Sequence, residues 1–277
     1  MPVSVLSVWM PLVGASMALQ ISPGSEKPAG IYHRIVNAQH RGELVELCNQ
    51  LGLIGNAAEI GVWHGGFSRH NLQKWKGAKY YMIDSWSFRP DDKDAKGRVS
   101  HDKNTQDAAK NERNFAMAKD SVKEWLPPAG NRAILKRMLS EDAVKKFADG
   151  FFDFIYVDAG HEYRNVIRDL HMWWPKLKEG GMLAGDDFAD MHDTFPAPDL
   201  HRTCHWGVKS AVAQFAKEVG SPFFLTFADR SHYSTAQWPK SEAEWEGDVN
   251  VTAQSEMPPE QFRARGNQMY PAWYLFK

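Results

Sequence analysis

The chain has 277 residues, a length that suits one α/β domain with insertions. Hydrophobic residues make up 43% of it, which excludes general disorder. With 33 basic and 34 acidic side chains the formal charge is -1. That balance speaks against a nucleic-acid surface and for a small or neutral substrate.

Residues 1–38 read as an N-terminal arm. Val3 to Leu19 are largely apolar, and Ala15-Ser16-Met17-Ala18 loosely resembles a small-residue cleavage site. No Lys or Arg precedes Lys27, and Pro11 and Gly14 interrupt the stretch. A packed arm is therefore the favoured reading and a targeting segment the alternative. No segment has the length and apolarity of a membrane span. Two cysteines, Cys48 and Cys204, lack metal or redox spacing and fit ordinary thiols of a reducing, cytoplasmic compartment.

The remaining 39–277 read as one domain. Gly42 to Leu51 carries helical apolar spacing, and Ala57 to Val62 is a short buried strand that stops at glycines. Ser68 to Trp75 is a helix, and Tyr80 to Asp84 a second buried strand ending in an acid. This is the β-α-β opening of a parallel sheet. Residues 88–104 form a polar insertion, a candidate lid. Ala108 to Trp125 is helical until Pro127-Pro128. Arg132 to Leu135 is a strand, and Glu141 to Ala148 a short helix. Phe152 to Asp158 is the clearest strand. Tyr163 to Leu177 predicts an amphipathic helix ended by Gly180-Gly181, followed by a strand over Met182 to Gly185. Gly207 to Val219 is helical, and Pro222 to Phe227 and Ala272 to Phe276 are two last strands. Residues 228–270 between them form a second insertion, one that could cover a substrate.

Four strand ends carry acids: Glu59 before Gly61, then Asp84, Asp158 and Asp186-Asp187. Open α/β sheets bind ligands at such ends, where an unpartnered carboxylate is costly. The first turn, Glu59-x-Gly61-x-x-x-Gly65-Gly66-x-Ser68, lets the backbone approach a ligand in front of a helix N-terminus. It lacks the GxGxxG of dinucleotide enzymes, so a nicotinamide oxidoreductase is disfavoured. Asp84, at the tip of the second strand, stands where such folds hold ribose hydroxyls. A plain turn at Gly61, and a cap or turn residue at Asp84, are the structural alternatives.

These residues, with Ile83-Asp84-Ser85-Trp86, Phe151 to Tyr163 and Asp169 to Gly181, resemble the S-adenosylmethionine-binding class I methyltransferases. They are most similar to the methyltransferase domain 24 branch, which includes small-molecule O-methyltransferases. The resemblance covers residues 40 to 228 and the final strand. It implies a Rossmann-like three-layer α/β/α sandwich with a seven-stranded, mostly parallel sheet whose last strand is antiparallel. It also implies cofactor contacts from Glu59, Gly61, Val62, Trp63, Gly65, Ser68, Asp84, Ser85, Trp86, Leu139, Ser140 and Asp158.

Asp158, Asp186 and Asp187 end adjacent strands, and three converging carboxylates suit a hard cation such as Mg²⁺. The arrangement is similar to the metal site of catechol-type and sugar O-methyltransferases. His161 stands where the catechol-type enzymes carry a basic residue, and so becomes the candidate general base beside catalytic Asp158. The family often shows Gly-His-Asp where Gly185-Asp186-Asp187 stands here. A helix cap at Asp158, a solvated turn at Asp186-Asp187 and a structural His161 remain open as alternatives.

The expected activity is methyl transfer from S-adenosylmethionine to a hydroxyl of a small molecule, a sugar, phenol or glycosylated metabolite, with a divalent metal assisting. No nucleic acid or membrane is expected as partner, and a homo-oligomer stays open. The rival is a non-catalytic S-adenosylmethionine- or nucleotide-binding regulatory or scaffold module.

Overall fold

The structure is a computed structural model that describes residues 38, 40–87, 107–190, 207–226 and 270–277. Nearly all of the N-terminal arm, Cys204 and the two insertions at 88–104 and 228–270 lie outside the described residues, apart from Ala38 and Tyr270.

Seven strands form one sheet in the order β3-β2-β1-β4-β5-β7-β6. They are β1 (Asn56–Ile60), β2 (Lys79–Asp84), β3 (Ala133–Arg137), β4 (Phe152–Val157), β5 (Leu177–Gly185), β6 (Phe223–Leu225) and β7 (Trp273–Phe276). Strands β1 to β5 pair in parallel, and β7 runs antiparallel to both β5 and β6. The seven-stranded, mostly parallel sheet with an antiparallel last strand is thus as expected.

Every residue of β4 is buried, because the strand sits at the sheet's centre with helices on both faces. One face is covered by α1 (Leu44–Gln50), α2 (Gly66–Lys74) and α3 (Ala108–Ser121), through Leu44, Val45, Leu72, Trp75 and Ala118. The other is covered by α4 (Ser140–Ala143), α5 (Tyr163–Trp173) and α6 (Val208–Val219), through Ala143, Val166, Leu170, Val212 and Phe215. In α5 the buried residues Val166, Asp169, Leu170 and Trp173 fall at helical spacing. The polar member of that stripe is satisfied. Ser140 Oγ donates to Asp169 Oδ1 at 2.8 Å and accepts from Trp173 Nε1 at 2.8 Å, tying α4 to α5. Among the described residues no helix is long and apolar enough to cross a membrane.

One boundary differs from expectation. Gly180-Gly181 does not end a helix: α5 stops at Trp173, and a 3₁₀ turn over Trp174–Lys176 contains Pro175. Pro175 has no N–H to continue the α-helical ladder, so the chain leaves the helix there. Both glycines then lie inside β5, where Gly180 N–H donates to the Lys277 carbonyl at 2.8 Å.

Candidate functional site

The parallel strands bring their carboxyl ends to one edge of the sheet, and the loops leaving them interlock. Gly61 N–H donates to the Ile83 carbonyl at 2.8 Å, and Asp158 N–H donates to the Ile60 carbonyl at 2.7 Å. Gly61 sits at φ +90, and a Cβ there would fall 2.0 Å from the Asp158 carbonyl oxygen. Glycine is required by both its backbone angle and this contact. The first turn and the acid of β4 are therefore one site.

Asp84 organises that turn. Its Oδ2 accepts the backbone N–H groups of Val62 and Trp63, both at 2.9 Å, and its Oδ1 accepts the N–H of Trp86 at 2.8 Å. Trp63 (φ 54) and Trp86 (φ 39) are both left-handed, a conformation that non-glycine residues seldom adopt. They are also joined to each other, Trp86 Nε1 donating to the Trp63 carbonyl at 2.7 Å. Trp86 is buried against Phe115, whereas Trp63 is 49% exposed with its ring 3.9 Å from that of His64.

Glu59 and Ser68 lie beneath this turn and are fully enclosed. Ser68 Oγ and Tyr80 Oη donate to Glu59 Oε2 at 2.6 and 2.8 Å. Burial raises the Glu59 carboxyl to about 8, against the lowering effect of those two hydrogen bonds. Both residues thus support the turn from below rather than face a ligand. Gly65, at φ +79, is needed for packing: a Cβ would meet Ser121 Oγ at 2.4 Å and Ala118 Cα at 2.9 Å. Leu139 and Ser140 come near Asp84 through the Met138 N–H, which donates to the Asp84 carbonyl at 2.9 Å. The Ser140 hydroxyl itself serves Asp169. Ser85 stands between Asp84 and Trp86 in the same turn.

The second half of the site needs one correction. Among the described residues, the group whose ligand atoms lie together, all within 4.8 Å, is Asp158, His161 and Asp187. His161 Nε2 is 3.0 Å from Asp187 Oδ2 and 3.8 Å from Asp158 Oδ1. Asp186 is not part of it. Consecutive residues leaving a strand face opposite sides, and Asp187 adopts a left-handed φ of 55. Asp186 is buried, and its Oδ2 is in direct contact with Arg41 Nη1.

Arg41 opens the 3₁₀ turn Arg41–Glu43 ahead of α1. Its Nη1 also lies 3.7 Å from Asp158 Oδ2, and its guanidinium stands 5.0 Å over the Phe67 ring. Burial pushes the Asp186 carboxyl upward and Asp187 adds to this, while the Arg41 guanidinium opposes it and favours the carboxylate. Burial lowers the basicity of Arg41, but Asp186, then Tyr156 and Asp158, outweigh it and the net direction is upward. For His161 too, burial acts downward, yet bonding to Asp158 and Asp187 raises the imidazole well above its ordinary value. The Tyr156 hydroxyl nearby is buried, with no hydrogen-bond partner among the described residues.

The three-carboxylate shell expected for Mg²⁺ is therefore not assembled. Two carboxylates and an imidazole remain, a mixed donor set ill-suited to a hard ion that prefers oxygen. Arg41 is the residue that sequence reasoning missed. It bonds Asp186 from 145 positions away, and no motif surrounds it.

A methyltransferase-domain family model matches residues 58–188, from β1 through Asp187. No curated protein matches the chain. Among solved structures, the chain is similar to an O-methyltransferase from Bacillus cereus in complex with SAH, at 12% identity over 86% of this chain and 80% of that one, with a TM-score of 0.47. It is also similar to geranyl diphosphate methyltransferase in complex with SAM, at 10% identity over 92% and 91%, with a TM-score of 0.45. Spermidine synthase from Thermotoga maritima is similar at 13% identity over 86% and 74%, with a TM-score of 0.41. At these identities and scores, none of the three decides anything about the reaction.

Proposed function

We propose that the protein is an S-adenosylmethionine-dependent methyltransferase that methylates a hydroxyl oxygen of a small molecule, a reading supported by the methyltransferase-domain match over residues 58–188. The observation that carries this reading is the placement of Asp158, His161 and Asp187 beside the Gly61 turn. A proton-accepting group thus adjoins the backbone cradle that the cofactor would occupy.

S-adenosylmethionine, when bound, supplies an electrophilic methyl group on its sulfonium. The chain's own residues do the rest. Asp84 holds the turn at Val62 and Trp63 and, at the tip of β2, stands where the ribose hydroxyls would be bound. His161 in its neutral form accepts the proton of the acceptor hydroxyl by relay through the Asp187 carboxylate, whose Oδ2 its Nε2 faces at 3.0 Å. The imidazolium so formed lies between Asp158 and Asp187, which stabilise its charge. The same two carboxylates raise its affinity for that proton. No step is routed through Mg²⁺, because Asp186 is committed to Arg41.

The test is incubation with S-adenosylmethionine and a panel of phenols, sugars and glycosylated metabolites, with methyl ethers read by mass spectrometry. The reading predicts a methyl ether whose formation falls in His161→Gln while cofactor binding persists. Methylation confined to nitrogen or carbon would refute the oxygen assignment. Cofactor binding with no turnover on any class would favour a regulatory module.

A further inference from the structure

The mismatch between the expected cation site and the observed one has a specific cause. Asp158, Asp186 and Asp187 leave two adjacent strands with three carboxylates in a small volume. Such a cluster needs compensating positive charge, because the attraction of a counter-charge offsets the cost of desolvation. The positive partner at Asp186 is Arg41, whose Nη1 touches Oδ2 and is 3.7 Å from Asp158 Oδ2. Arg41 is held there by more than charge. Its guanidinium lies over Phe67, and the turn that carries it is capped by His40, whose Nδ1 accepts the Gly42 N–H at 3.2 Å.

From this geometry we propose that Arg41 is the resident cation of the acceptor site, filling the place between Asp158 and Asp186 that the three-carboxylate Mg²⁺ shell would need. The proposal rests on the acceptor-site reading above. Arg41 is a positioning residue: it fixes Asp186 and steadies Asp158, one of the two carboxylates beside His161. A guanidinium suits this role, since it keeps its charge under all relevant conditions and engages carboxylates through several N–H groups. The Asp158–Asp186 side of the site then needs no Mg²⁺, and Asp186, the extra acid, serves as the anchor for Arg41.

The test is calorimetric titration of MgCl₂ and of MnCl₂ into the full-length wild type and into Arg41→Met, with and without saturating S-adenosylhomocysteine. The wild type should give no saturable heat from either ion. Arg41→Met should gain binding by roughly tenfold or more in Kd, because removal of the guanidinium leaves buried carboxylates that a cation relieves. Adding Asp186→Asn to Arg41→Met should abolish the gain, and Arg41→Lys should keep the site closed to metal. A merely structural Arg41 would destabilise the fold on removal and create no cation site.

Saturable Mg²⁺ or Mn²⁺ binding by the wild type that Asp158→Asn removes would overturn the proposal. So would an Arg41→Met protein that still binds S-adenosylhomocysteine yet gains no cation. If Arg41→Met does not fold, the wild-type titration alone decides. Failure of the wild type to bind S-adenosylhomocysteine would instead count against the methyltransferase reading, so the two failures are distinguishable.

Discussion

Asp84 Oδ2 accepts the backbone N–H of Trp63 at 2.9 Å, and so ties the tip of β2 to the turn that follows β1. The same carboxylate holds Val62 and Trp86. One side chain thereby holds a loop that contains two left-handed tryptophans. Asp84→Ala removes both acceptor oxygens and all three hydrogen bonds. It should cost about 2–4 kcal/mol of stability, since hydrogen bonds to a charged group are worth more than neutral ones. Cofactor affinity should fall by roughly tenfold or more as the turn loses its shape. Urea denaturation and calorimetry measure the two effects separately, and wild-type affinity in this variant would remove Asp84 from the site.

Glu59 gives a pH prediction with a definite sign. Its carboxyl rises from 4.5 to about 8 on folding, because it is buried. Between those values the folded state keeps a proton that the unfolded state has lost, so stability falls as pH rises through that window. Glu59→Gln mimics the protonated form and can still accept from Ser68 and Tyr80. The variant should gain on the wild type by about 3 kcal/mol near pH 7, as an order of magnitude, and by little near pH 4. Denaturation midpoints of the two proteins across pH check this. Parallel curves would contradict it.

His161 is raised in the folded state, so the stability of its imidazolium is complete below its ordinary pKa. That contribution is lost as pH rises through the folded value. The same shift suppresses a general base at low pH. Methyl transfer should therefore climb with pH, with a midpoint above 6.5, and His161→Gln should lose about 100-fold or more in rate. Rate profiles of both proteins on one hydroxylated acceptor test it. A flat profile for the wild type would exclude His161 as the base.

Much of this was legible in the sequence, and the misses share a physical origin. The residues of β4 announce a central strand because both of its faces are apolar. The acids at Asp84, Asp158 and Asp186-Asp187 are visible as strand ends for the same reason. The α5–β5 junction was misread because Gly180-Gly181 carries a helix-stop signal, while Pro175 had already ended the helix. Glu59 and Ser68 look like ligand contacts in a glycine turn, but their side chains point into the core and satisfy each other. Which carboxylate faces Arg41 and which faces His161 follows from strand alternation and the left-handed Asp187. Neither can be read from composition.

Arg132 offers a check on the fold itself. Its Nε, Nη1 and Nη2 donate to the carbonyls of Gly77, Leu72 and Trp75, closing the carboxyl end of α2 against the start of β3. Arg132→Met leaves these carbonyls without that donor and should destabilise the protein by about 2–3 kcal/mol. Cofactor affinity should stay unchanged, because the contact is at the opposite end of the sheet from the Gly61 turn. Guanidinium denaturation gives the first value and calorimetry the second, and a loss under about 0.5 kcal/mol would contradict this account of the helix end.

We propose that the Gly61 turn and Asp84 hold S-adenosylmethionine. Calorimetric titration of the cofactor into the wild type and Asp84→Ala tests it most directly. The account predicts saturable binding at one site per chain, weakened in Asp84→Ala. An absence of saturable heat in the folded wild type would contradict it.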